Sequence, residues 1–221
     1  MTSFPRNPQL TEGIQLWHVT HVHHVMTMIM RIHMRKLGNA EVLAGAINGR
    51  RVQAKLLELT DKEPTVPEPV FLDFTGVDVA TASFLRETVL DYRDAIRRRR
   101  SNFYPVVANA NQVVEEELKV LVSSDADVLM LCLLDENDQP HQPRLLGKLD
   151  PKQRLTFDLV QKRQETDAAE LMREHRETKA VKQTAWNNRL SALANMGLVV
   201  ELSEGRAKRY RSLLAGATYG S

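Results

Sequence analysis

Between residues 30 and 134, short apolar runs alternate with stretches whose apolar residues recur every three or four positions. That alternation limits the fold more than any other feature. Met30, Ile32 and Met34 alternate with Arg31 and His33, the pattern of a half-buried strand. Val42, Leu43, Ile47, Val52, Leu56 and Leu57 follow; Gly45 and Gly49 weaken the first half, so a helix is expected over 50–59. A Pro-rich turn at 65–69 leads to 70–72, an apolar run that Phe74 extends and that reads as a buried strand. Between Asp78 and Arg100, Phe84, Leu85, Thr88, Val89, Tyr92 and Ile96 make one helix face. Then come a strand at 104–108, a helix at 112–122 with Val113, Val114, Leu118, Leu121 and Val122 on one side, a strand at 128–134, and a polar, linker-like loop at 135–143. This order predicts an α/β unit over 26–145, a mostly parallel or mixed sheet covered by helices.

Residues 146–221 read differently, as a small α+β unit. Leu155, Phe157, Leu159 and Val160 predict a helix over 152–163. Thr166 and Asp167 supply an N-cap and first turn for a second over 167–175, with Ala168, Leu171 and Met172 apolar. A third spans 178–196 and stops at Gly197. Strands at 198–202 and 207–213 flank a tight turn at 203–206. At about 100° per residue, Trp186, Leu190 and Leu193 share one side of the third helix, so Trp186 is expected in the core. Thr184, Asn187, Asn188, Ser191 and Asn195 lie opposite, flanked by Lys182 and Arg189. Residues 1–25 form a polar, Pro-containing tail expected to be loosely ordered. Its His18, His21, His23 and His24 lack an acidic second shell, and no metal site is expected there.

Composition narrows the function. The formal charge is +2, but residues 151–221 hold 13 Lys and Arg against 8 Asp and Glu, a basic segment suited to a polyanion. The run Arg97, Arg98, Arg99, Arg100 is expected to be a solvated last helical turn, where cations meet the negative end of the macrodipole. No apolar stretch reaches the roughly 18 residues of a membrane span. A lone cysteine, Cys132, and the lack of a basic-then-apolar leader point to a reducing cytoplasm. Phosphate loops, dinucleotide fingerprints and nucleophile elbows are missing, and no cofactor or enzymatic activity is expected.

Asp73-Phe74-Thr75-Gly76-Val77, then Thr81-Ala82-Ser83-Phe84-Leu85 entering a helix, resembles the paired motif of the STAS fold of sulfate transporters and anti-sigma-factor antagonists, and most of all its STAS-like relatives of unknown function. The resemblance covers roughly residues 28–135. It implies an interaction or sensing module, and it places Ser83 where antagonists are phosphorylated by an ATP-binding kinase. Thr81 and Phe84 replace that motif's Asp and Gly. Independently of the resemblance, Ser83 reads as a first-turn residue satisfying a backbone donor.

Gln183-Thr184-Ala185-Trp186-Asn187-Asn188-Arg189-Leu190-Ser191, then Gly197-Leu198-Val199 and Gly205-Arg206-Ala207-Lys208-Arg209-Tyr210, resembles the recognition helix and wing of bacterial winged helix-turn-helix regulators. The resemblance implies duplex DNA as partner. Lys182, Gln183, Thr184, Asn187, Asn188, Arg189 and Ser191 on the helix, with Arg206, Lys208, Arg209 and Arg211 on the hairpin, are the expected contacts. A homodimer reading a two-fold site is a further expectation. The alternative is a partner switch controlled at Ser83, whose winged helix docks protein.

Overall fold

Four parallel strands, laid side by side in chain order, carry the molecule. The computed structural model describes residues 14–16, 29–124, 127–175, 182–204 and 207–215. Strands β1 (Ile14–Leu16), β2 (Met30–His33), β4 (Glu68–Asp73), β6 (Phe103–Ala108), β7 (Val128–Leu134) and β8 (Pro140–Gly147) form one six-stranded sheet in that spatial order. Pairing is parallel from β2 through β7, and antiparallel at both edges. The crossovers hold α1 (Met34–Gly38) and α2 (Ala46–Leu59) after β2, a helix after β4, and α5 (Gln112–Ser124) after β6. The helix after β4 runs as α3 (Ala82–Leu85), a π-helical stretch Arg86–Asp91, and α4 (Tyr92–Arg98). Short strands β3 (Val42–Leu43) and β5 (Val79–Ala80) pair beside it.

Register shows why the central strands are apolar throughout. Ile32, Leu72, Val107 and Leu131 are aligned across β2, β4, β6 and β7. They join one core with Val52 and Leu56 of α2, Phe84, Leu85, Val89 and Ile96 of the second crossover, and Val114, Leu118, Leu121 and Val122 of α5. Their neighbours in sequence, Phe71, Val106, Met130 and Cys132, point to the opposite face and join a second core. Strands buried on both faces lose the alternation of a half-exposed strand.

The second core is completed by the C-terminal residues. These form α6 (Pro151–Arg163), β9 (Glu165–Thr166), α7 (Ala168–Glu174), α8 (Gln183–Asn195) and the hairpin β10 (Val199–Glu204) and β11 (Ala207–Ser212). β11 lies between β10 and β9, antiparallel to both. Phe157, Val160, Leu171, Trp186, Leu190, Leu193, Leu198 and Val199 belong to the same cluster as Phe71, Tyr104 and Met130. Tyr104 Oη accepts from the Glu201 backbone N–H at 3.1 Å, tying β6 to the hairpin. Trp186 is buried, as its helical phase predicts.

Several expectations change. The stretch expected as a linker-like loop at 135–143 is a turn followed by the start of β8, which pairs with β7. Pro140 and Pro143 masked it; an edge strand tolerates proline. Gly147 ends this strand at φ +102°, where an added Cβ would lie 2.2 Å from the Asp127 carbonyl oxygen. The helix expected from 50 begins at Ala46, and the one expected within 78–100 begins at Ala82, because Val79 and Ala80 pair with Val42 and Leu43. Val113 is exposed, since nine residues, about 180° of helix, separate it from buried Val122. Thr166 is in a strand, and Asp167 alone is the N-cap of α7. α8 begins at Gln183 because Lys182 is extended; residues 178–181 of the expected helix lie outside the described residues. Of the expected tail, Ile14–Leu16 pair with β2, and the histidine cluster lies outside the described residues.

Candidate nucleic-acid interface

α8 turns Trp186, Leu190, Leu193 and Ala194 into the second core and leaves its other side open. Gln183, Thr184, Asn187 and Asn188 are exposed, as is Lys182 before them. Gln183, Asn187, Ser191 and Asn195 recur every four residues and make one row, about 18 Å long at 1.5 Å per residue. Amide side chains on such a row carry paired donors and acceptors without charge, the chemistry that reads base edges. Arg189 is half-buried, its guanidinium 4.9 Å from the Trp186 ring centroid. That stacking orients the cation without neutralising it.

The hairpin cations are placed differently. Lys208 Nζ is 2.7 Å from Glu201 Oε1. Arg209 faces three carboxylates, Glu165, Asp167 and Glu170. Two of these belong to the capping box of α7: Asp167 accepts from the Ala169 and Glu170 amides, and Glu170 accepts from the Asp167 amide. The two described basic residues nearest the turn are therefore compensated from within the molecule. Arg211 is half-buried, opposite Glu165 across β9–β11. Arg206 lies outside the described residues. Ser191 is half-buried and hydrogen-bonded to Tyr210 Oη at 3.0 Å, so it braces helix against hairpin. A recess of about 510 Å³ is lined by Gln183, Asn187, Ser191, Lys208 and Tyr210, with Asp167 and the start of α7 opposite.

The other predicted site residue, Ser83, is exposed in the first turn of α3. Its hydroxyl lies 3.2 Å from Thr81 Oγ1, which accepts from the Gly45 amide. The Ala82 amide already donates to the Glu117 carboxylate. A carboxylate thus occupies the helix start that a phosphate on Ser83 would approach.

A further polar cluster is built around Asp73. At the carboxyl edge of the sheet, buried Asp73 accepts from Arg31, from His33 Nδ1 at 2.7 Å, from the Thr75 hydroxyl at 2.7 Å and amide at 3.1 Å, and from Asn109 Nδ2 at 2.8 Å. Arg31 also binds Asp138 in the β7–β8 turn, and Asn109 Oδ1 accepts from the Leu134 amide. Burial alone would raise the Asp73 pKa, but bonds from His33, Thr75 and Asn109 hold it well below the usual carboxylate range. Apart from Thr75, its partners come from distant positions, so the sequence signals only the Asp and Thr that follow an apolar run. Cys132 is buried on the second sheet face; desolvation pushes its thiol up to about 12, so thiolate is scarce.

Among the described residues no group of three metal-ligating side chains converges, and no helix is long and apolar enough to cross a membrane. No family model matches the sequence, and no curated protein or solved structure matches it either.

Proposed function

We propose that this chain is a non-enzymatic DNA-binding regulator, with a STAS-like sensing unit joined to a C-terminal winged helix. The observation that carries the reading is the exposed amide face of α8, with Gln183, Asn187 and Asn188 pointing away from a helix whose other side is core. Its setting supports the same reading. α6, β9, α7, α8 and the β10–β11 hairpin follow in the winged-helix order, and the return strand pairs back onto β9. α8 would lie in the major groove, where Asn and Gln match the adenine edge. With Lys208 and Arg209 compensated, Lys182 just before α8 and Arg189 on it are placed to meet phosphates beside that face. The test is a gel shift of the full chain on duplex DNA from its own upstream region, run at several salt concentrations. Binding that weakens steeply with salt is expected. Asn187→Ala with Asn188→Ala should reduce discrimination between specific and random duplex by at least tenfold, at about 1–3 kcal/mol per lost base contact. No shift of any duplex at low ionic strength would refute the reading.

The exposure of Ser83 favours a second reading, a partner switch set by an ATP-binding kinase. Val42 and Val79, paired across β3–β5, are exposed, as is Ile47 at the start of α2, and they offer apolar area for a protein partner. Incorporation of phosphate with ATP and such a kinase, abolished by Ser83→Ala, would favour it.

A further inference from the structure

We propose that the turn ending α4, through Arg98 and Arg100 with Arg97 behind them, is a phosphate-backbone contact that extends the α8 surface onto the α/β unit; the inference rests on the DNA-binding reading above.

The arginine run does not sit at a remote helix end. Arg97, Arg100 and Asn195 line two adjoining recesses. One, of about 350 Å³, also holds Arg98 and Asp94. The other, of about 580 Å³, also holds Ser191, Glu201 and Lys208. Asn195 and Ser191 are the last two members of the α8 row, so the row leads from Gln183 into the arginines. Its length of about 18 Å matches the axial rise of about five base pairs.

The charges there are not held in ion pairs as the hairpin's are, although Asp91 attracts Arg98 at longer range. Among the described residues no carboxylate is ion-paired with Arg97, Arg98 or Arg100. Arg97 donates to the Ser101 and Phe103 carbonyls and stacks 4.0 Å from the Tyr104 centroid, which fixes it without cancelling its charge. Arg98 Nε donates to the Asp94 carbonyl, while the Asp94 carboxylate is held by Arg93. Glu201 is held by Lys208, and Arg100 acts on that lysine as a repelling like charge. Arg99 differs: it reaches Glu63 and the Thr60 carbonyl.

Arg100 also occupies a costly backbone position. Its φ is +54°, and the turn is closed by Arg100 N–H to Arg97 O at 3.0 Å and Ser101 N–H to Ile96 O at 3.2 Å. This is the helix-ending geometry that glycine suits best. An exposed arginine there retains a charge where the backbone favours a residue without Cβ. Such strain points to a role for the side chain outside folding. The partner that fits a spread of fixed cations along an uncharged amide row is a duplex phosphate backbone.

The experiment compares the full wild-type chain with Arg98→Ala/Arg100→Gly and with Arg99→Ala, by fluorescence anisotropy on one labelled duplex from 50 to 300 mM salt. The double variant should bind at least tenfold more weakly at about 100 mM salt, and the magnitude of its log–log salt slope should fall by about two, near 0.9 per lost contact. Arg99→Ala should match wild type in both, and thermal melts should show the double variant folded, since glycine relieves position 100. Excess inorganic phosphate should fail to compete at matched ionic strength; if it displaces the duplex, the site takes a free anion and the proposal falls. Wild-type binding with an unchanged slope in the double variant overturns this inference alone. No duplex binding by wild type, or binding insensitive to Asn187→Ala with Asn188→Ala, overturns the underlying reading, and in the former case this inference with it.

Discussion

Asp73 accepts hydrogen bonds from four side chains and one amide while fully buried, so its carboxylate joins β2, β4 and β6 at one point. A buried charge of this kind is costly to break because its partners are left unpaired. Asp73→Asn should lower stability by about 3–5 kcal/mol at pH 7, measured by urea unfolding. The acid limb gives a second readout. The folded pKa lies below the unfolded value, so the unfolded chain takes up the proton first as pH falls. The stabilisation is complete above the unfolded carboxylate range, about pH 4, and is lost as pH drops through the lower folded value. Wild type should therefore lose more stability between pH 5 and pH 3 than Asp73→Asn does; equal losses would show that this carboxylate is not the linked group. At this scale sequence reading reached the position, through the Asp after an apolar run, but not its partners. Arg31, His33 and Asn109 lie 42, 40 and 36 positions away in the chain, and no local spacing connects them.

The longer helices were legible where one apolar stripe faced one core; the short α1 was not, since Met34, read as a strand residue, begins it. Phe84, Leu85, Thr88, Val89, Tyr92 and Ile96 are all buried, although the helix widens to a π turn in their midst. Strands with little apolar content were not legible. β9 is Glu165–Thr166, and β8 opens on proline and histidine; each exists because a neighbouring strand offers an edge, which is a tertiary cause. The same limit applies to the hairpin cations, since charge on a strand reveals nothing about the carboxylates that pairing brings opposite it. α7 makes the point testable. Asp167 caps the helix and faces Arg209. Asp167→Ala should destabilise the protein by about 1 kcal/mol through the lost cap. It should also strengthen duplex binding, because it removes a negative charge beside α8 and partly releases Arg209. Chemical denaturation and anisotropy measure the two effects separately. Lower stability with weaker binding would mean that the start of α7 supports the surface rather than opposing it.

Over the whole molecule, the decisive feature is that the C-terminal unit covers a sheet face that would otherwise be bare. Phe71, Tyr104, Val106 and Met130 could be recognised as strand residues, and their apolar neighbours implied burial on both faces, but nothing local named the cover. That cover is Phe157, Val160, Leu193, Leu198 and Val199 with their neighbours, in one continuous cluster. At about 25 cal/mol per Å² of apolar surface, a few hundred Å² shared between the units couples them by several kcal/mol. The two units should thus unfold as one. In a Trp17→Phe background, Trp186 fluorescence and far-UV circular dichroism should give coincident urea transitions. Tyr104→Phe keeps the ring but removes the acceptor of the Glu201 amide, and should shift both transitions together by about 1 kcal/mol. Two separated transitions, or a shift in only one probe, would mean that the units fold independently. In that event the arginines of α4 and the amide row of α8 would no longer be held in one register, and any surface spanning them would have to be assembled by the ligand itself.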